Sequence, residues 1–216
     1  MKKLSLSIVA CLALGTFAMA GGDIAPVYTP VEEVVAPAPE KSGFYVGAGV
    51  SFLSWEEKAN TGEVGDVMLA YNDLEATWTG GTILAGYQFN PYIAVEGRYA
   101  MSFTDASWEA NGGYDWDDGS DLSNLAIYLK PMYPIGDFAL YGLLGYGQTS
   151  IEYEGGGDYD DSGFQWGIGA GYNFTESLGA FVDYTVWYDD DSFDDSPAYM
   201  SDFKADAITV GITYKF

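Results

Sequence analysis

Four charged residues stand where charge is out of place. Glu96 and Arg98 lie in the alternating segment Tyr92–Phe103, Lys130 in the segment that carries Leu125 to Tyr133, and Asp183 in Leu178–Val186. In each segment every second residue is mostly apolar, and the charge falls in the other phase. If these segments are strands of one closed sheet, all four side chains turn to the enclosed side. Two carboxylates, a guanidinium and an ammonium would share a space with little water, and they must pair, because unpaired buried charge is expensive. Pairing gives a pinned, mostly closed interior. The alternative is a gate, in which exchange of ion-pair partners opens a narrow water path. Lys215 shares the enclosed phase near one end of its strand. Asp206 shares the apolar phase with Ile208, at a strand end that water can reach.

A second group is the acidic runs. Of the 32 acidic residues, 23 lie in four stretches, 56–75, 105–121, 152–161 and 189–202. Asp115, Asp117, Asp118 and Asp121, and separately Asp189 to Asp191, offer the hard oxygen ligands that Ca2+ or Mg2+ favours. Neither run matches the EF-hand loop, which needs a glutamate at its twelfth position. Solvated acidic loops without a cofactor are therefore the expectation, and a Ca2+ or Mg2+ site is the minor reading. Catalysis has little to work with. The chain contains no histidine, and loop aspartates in bulk water have nothing to tune them as an acid–base pair. No enzyme is expected. The net charge of −24 would repel a phosphate polyanion, which excludes nucleic acid as a partner.

The elements that must position these residues begin with an export segment. Lys2 and Lys3 precede an apolar run, and Ala18-Met19-Ala20 closes it, so residues 1–20 read as a secretory signal peptide. The one cysteine, Cys11, leaves with it. The run is too short to cross a bilayer as a helix, which needs about 20 apolar residues, and no later run supplies one. Residues 21–42 hold Pro26, Pro30, Pro37 and Pro39 and read as an extended linker.

Residues 43–216 alternate throughout. Eight strands follow, around Phe44–Phe52, Trp78–Phe89, Tyr92–Phe103, Leu125–Tyr133, Phe138–Ile151, Phe164–Phe174, Leu178–Val186 and Ala207–Phe216. The fifth is apolar in both phases, so its faces stay open. Connections alternate long and short: Trp55–Thr77 is long, Asn90-Pro91 short, the stretch through Asp121 long, Pro134–Asp137 short, Glu152–Ser162 long, Thr175–Ser177 short, Asp189–Phe203 long. Aromatic residues gather at both strand ends. Phe44, Phe89, Tyr133, Phe174, Tyr214 and Phe216 lie toward the short turns; Phe52, Trp78, Phe103, Phe164, Trp166 and Tyr188 lie toward the long loops. The expected fold is all-β, an eight-stranded antiparallel up-and-down transmembrane β-barrel.

The motifs GFYVGAGVSF at the start, GFQWGIGAGYNF inside and ITVGITYKF at the end carry a resemblance. From Gly43 to Phe216 the chain resembles the small outer-membrane barrel family that includes opacity proteins and the membrane domain of OmpA-type proteins. The resemblance implies a porin-like or opacity-like protein of the Gram-negative cell outer membrane, structural and surface-exposed, with at most a narrow ion pore. The linker would be periplasmic, and the chain ends at the barrel, without the peptidoglycan-binding domain of full OmpA-type proteins. Barrel enzymes that resemble lipases or acyltransferases use a histidine that this chain lacks. The closing strand, with Ile212, Tyr214 and Phe216, resembles the signal read by the barrel assembly machinery. Other implied partners are outer-membrane lipid and lipopolysaccharide, the latter through a divalent-ion bridge to the acidic loops. The alternative function is an adhesin or surface antigen whose acidic loops engage cations or a basic host ligand.

Overall fold

The computed structural model describes residues 42–59, 63–64, 67–68, 74–110, 114–153, 157–190 and 200–216. The expected signal peptide and nearly all of the proline-rich linker lie outside the described residues. Eight long strands make the wall: β1 Gly43–Ala59, β2 Leu74–Asn90, β3 Ile93–Ser102, β4 Asp121–Ile135, β5 Phe138–Glu152, β6 Asp158–Asn173, β7 Leu178–Asp190 and β8 Met200–Lys215. Each pairs antiparallel with the next, and β1 pairs with β8 from Tyr45↔Lys215 to Ala59↔Met200, which closes the sheet into a barrel. Closure leaves no unpaired edge among these eight. A ribbon, Ala106–Ala110 with Tyr114–Asp118, extends the wall by pairing Ser107–Ala110 with Leu74–Thr77 of β2.

Side-chain alternation becomes two surfaces. On β1, Phe44, Val46, Val50 and Phe52 are exposed outside, while Tyr45, Ser51, Leu53 and Trp55 are buried inside. Ile83, Ile127, Ile168 and Ile212, on four different strands, are 59–62 % exposed. An apolar belt of this extent is not tolerated on a soluble monomer.

Turn chemistry fits the short connections. The Asn90 carboxamide oxygen accepts the Tyr92 N–H at 2.8 Å, and the Thr175 hydroxyl accepts N–H groups of Ser177 and Leu178 at 3.2 and 2.9 Å. Gly136, at φ 63°, supplies the left-handed residue of the two-residue turn between Ile135 and Phe138.

Three features differ from the sequence reading. The strands run well past the expected ends into the long-loop region, β1 to Ala59 and β2 from Leu74. There the pattern inverts: Glu75 and Thr77 point out to solvent, whereas Ala76 and Trp78 point in. Trp78 therefore leaves the expected outer aromatic belt, and a register shift takes Tyr188 out of it as well, the two being 3 % and 7 % exposed inside the barrel. With Leu53, Trp55, Trp108, Trp187 and Phe203 they form a buried apolar core at the long-loop end. Val186 keeps its outward phase, opposite Trp166 and Asp206, yet is buried there; the register irregularity follows it, between Val186 and Tyr188, and turns Tyr188 inward opposite Ala205.

The open question of β5 is also resolved. Tyr141, Leu143, Thr149 and Ile151 are buried inside, and Leu140, Leu144 and Tyr146 are exposed outside.

Candidate functional site

The barrel brings Glu96, Arg98, Lys130 and Asp183 together near the middle of its interior. Glu96 and Arg98 are successive inward residues of β3, Lys130 comes from neighbouring β4, and Asp183 reaches across from β7. The Arg98 guanidinium spans the gap. Its Nη1 and Nη2 donate to Asp183 Oδ1 and Oδ2 at 3.0 and 2.8 Å, and its Nε donates to Glu96 Oε1. Lys130 Nζ donates to Glu96 Oε2 at 2.8 Å. All four side chains are at most 9 % exposed.

Tyrosines complete the network. The Tyr45 hydroxyl donates to Glu96 Oε2 at 2.6 Å and the Tyr141 hydroxyl to Asp183 Oδ2 at 2.7 Å. The Lys130 ammonium sits 4.1 Å from the centroid of the Tyr141 ring, and the Arg98 guanidinium lies 5.8 Å from Tyr128 and 5.7 Å from Phe181. Cations over ring faces are stabilised further where water is scarce. The cluster is formally neutral, every charge has a partner, and an eight-stranded interior is just wide enough for side chains to fill.

Alternation places Tyr45 and Tyr128 on the enclosed side without assigning them a role, and it gives no basis for placing Tyr141. The signal that could have found them is glycine. A Cβ on Gly86 would lie 2.5 Å from the Tyr45 ring, and one on Gly169 equally close to the Tyr141 ring. Inward glycines make the space that the tyrosines occupy.

Two uncharged layers sit beside the cluster. The Ser51 hydroxyl is 2.7 Å from that of Thr82 and 3.0 Å from that of Thr209. Across from it, Gln165 Nε2 donates to Asn124 Oδ1 at 2.7 Å, and the Thr149 and Tyr128 hydroxyls donate to the same pair of amides. Toward the long-loop end, Trp55 Nε1 and the Tyr153 hydroxyl both donate to Glu57 Oε1 at 2.7 Å. Burial, then the neighbouring Glu57 carboxylate, pushes the Tyr153 phenol well above its ordinary range. At the other end Lys215 Nζ donates to Gln88 Oε1 at 2.9 Å, beside a cavity of about 120 Å³ at the mouth.

The acidic run Asp115 to Asp121 does not converge. Asp115 and Asp117 point out from the ribbon strand and Asp118 lies on its opposite face. Asp117 Oδ1 accepts the Ser107 hydroxyl at 2.7 Å, Asp118 Oδ1 accepts Trp108 Nε1 at 3.1 Å and the Ser120 N–H at 2.9 Å, and Asp121 Oδ1 accepts the Ser102 hydroxyl at 2.9 Å. Burial works to raise the Asp118 carboxyl, but hydrogen bonds from Ser120, Trp108 and Trp116 outweigh it and hold the group below its ordinary range. Among the described residues no three acidic side chains meet as a metal cage would require.

The last three outward residues of the sequence, Ile212, Tyr214 and Phe216, are exposed along one line on the barrel exterior, with the Tyr214 and Phe216 rings edge to face at 5.1 Å.

A family model described as an outer membrane protein beta-barrel domain matches residues 9–216. Among solved structures, the outer membrane protein OprG of Pseudomonas aeruginosa is 17 % identical, with 81 % of this chain and 96 % of that chain covered and a TM-score of 0.55. The outer membrane protein AlkL, solved in DMPC lipid bilayers, is 13 % identical, with 92 % and 97 % covered and a TM-score of 0.58. Neisserial surface protein A is 16 % identical, with 82 % and 99 % covered and a TM-score of 0.52. At such identities the likeness is one of fold. No curated protein sequence matches the chain.

Proposed function

Because the chain belongs to the outer membrane protein β-barrel family and so lies in the Gram-negative outer membrane, we propose that it is a structural, surface-exposed barrel closed to free diffusion. The observation that carries this reading is the satisfied network of Glu96, Arg98, Lys130 and Asp183 across the lumen. Opening a water path there would mean breaking charge-assisted hydrogen bonds in a space that cannot replace them. The short turns then face the periplasm and the long loops face outward, as in other bacterial barrels.

Catalysis is no part of the proposal, since the chain has no histidine and the buried carboxylates are already held by cations. Partners consistent with the reading are outer-membrane lipid and lipopolysaccharide, and an assembly machinery that would meet Ile212, Tyr214 and Phe216.

Planar-bilayer conductance of the detergent-refolded protein tests the closed lumen. No discrete current steps are expected from protein that shows the heat-dependent gel shift of a folded barrel. Regular, cation-selective steps from such protein would make it a narrow channel instead. The lipid belt has its own test. Ile168→Arg places a charge on the outward face near mid-membrane and is expected to lower stability in lipid by about 2–4 kcal/mol. Denaturant titration of the vesicle-inserted barrel measures this, and a loss near zero would mean that this face does not meet hydrocarbon.

A further inference from the structure

The eight strands of the barrel are each paired on both sides, but the ribbon strand Tyr114–Asp118 is not. Among the described strands its one neighbour is Ala106–Ala110, so it ends the sheet with a free edge beyond the membrane. Such edges are templates for another strand.

The register says what that strand should carry. Glu56 of β1 stands opposite Glu75 of β2, Glu75 opposite Glu109, and Glu109 opposite Asp115. Four carboxylates therefore form one outward row across four adjacent strands, about 4.8 Å from strand to strand. Directly opposed like charges destabilise a sheet. The barrel closes one end of the row with a cation: Lys204 of β8 stands opposite Glu56, its Nζ 3.8 Å from Glu56 Oε1 and 2.7 Å from Asp206 Oδ2. The other end of the row is Asp115, on the free edge. The next outward residue of that strand, Asp117, is also exposed.

We propose that this edge takes up an extended segment of a partner protein with lysine or arginine at two alternate positions. Paired antiparallel, those two residues would stand opposite Asp115 and Asp117 and close the row as Lys204 does at its far end. The residue between them would face Trp116, which is 41 % exposed and stacked on Trp108 at 5.9 Å, so a β-branched or aromatic side chain fits there. A second copy of this chain does not fit. Antiparallel self-pairing about Trp116 would set Asp115 against Asp117 twice. The inference rests on the surface-exposed reading above, which places the ribbon outside the cell.

The test uses the full protein in detergent and a fluorescent heptapeptide of alternating valine and lysine. Anisotropy should report binding that weakens about tenfold in the double variant Asp115→Asn with Asp117→Asn, the loss expected for hydrogen bonds to charged groups. Amide exchange of residues 114–118 should slow when the peptide is added. The same peptide N-methylated at alternate residues, with its charge kept and its backbone donors removed, should not bind. Equal binding of the N-methylated peptide would overturn the proposal, leaving only a charged surface. So would slowed exchange of these amides with Ca2+ or Mg2+ alone, or dimerisation through this strand without peptide. Absence of binding from protein that keeps its heat-dependent gel shift would overturn this inference and leave the barrel reading standing; loss of the shift would strike at the barrel itself.

Discussion

Arg98→Ala is expected to cost about 3–5 kcal/mol of stability, the usual result of breaking a buried ion pair from one side. The reason lies in what each partner keeps. Glu96 retains Lys130 and the Tyr45 hydroxyl, but among the described residues Asp183 retains only the Tyr141 hydroxyl. One carboxylate would be left buried with no cation. The double variant Arg98→Leu with Asp183→Leu removes both halves of the bidentate pair and leaves Glu96 with Lys130, so it should regain most of the loss. Arg98→Lys should fall between, since a point charge cannot donate to both carboxylates with the guanidinium's fixed fork. Denaturant titration in lipid measures all three, and the double-variant cycle isolates the coupling. If Arg98→Ala costs less than about 1 kcal/mol, the level of a solvated surface pair, water already reaches the cluster. The closed-lumen reading then fails.

The four residues of this cluster are legible in the sequence itself. Glu96, Arg98, Lys130 and Asp183 sit in segments where one phase is apolar and the other is not, so phase alone turns them inward. Tyr141 could not be placed. Leu140 and Leu144 in one phase and Tyr141 and Leu143 in the other look alike, and only pairing with β4 and β6 decides between them. Trp78 departs from the outer aromatic belt for another reason. Alternation carries a sign set by the surroundings: in lipid the apolar residues face out, and above the membrane they face in. A strand crossing that boundary keeps its period and reverses its meaning, so Trp78 continues the inward phase that Thr82 and Leu84 begin. The bulge between Val186 and Tyr188 has no mark in the residues around it. Pattern reports period well and reports environment only where the environment is constant.

Gly169→Val is expected to destabilise the barrel by about 1–3 kcal/mol as overpacking, and to do so through the charge cluster. A Cβ at this position would lie 2.5 Å from Tyr141 Cζ and 2.6 Å from Asp183 Cβ, where ordinary contact between carbons is about 3.5–4.0 Å. The wall cannot yield, because Gly169 is paired with Tyr141 on one side and Asp183 on the other. The ring must swing away, and the hydroxyl then leaves Asp183 while the Lys130 ammonium loses the ring face beneath it. Pairing Gly169→Val with Tyr141→Ala should therefore be less costly than the sum of the two single changes, since the smaller residue vacates the space that valine needs. Gly97→Ala is the control. Its Cβ would point outward with nothing nearer than 3.9 Å, so its stability should stay within about 0.5 kcal/mol of wild type. Equal losses at Gly169 and Gly97 would mean that glycine serves strand flexibility in this wall; a loss confined to Gly169 would mean that it serves the tyrosine packed against it.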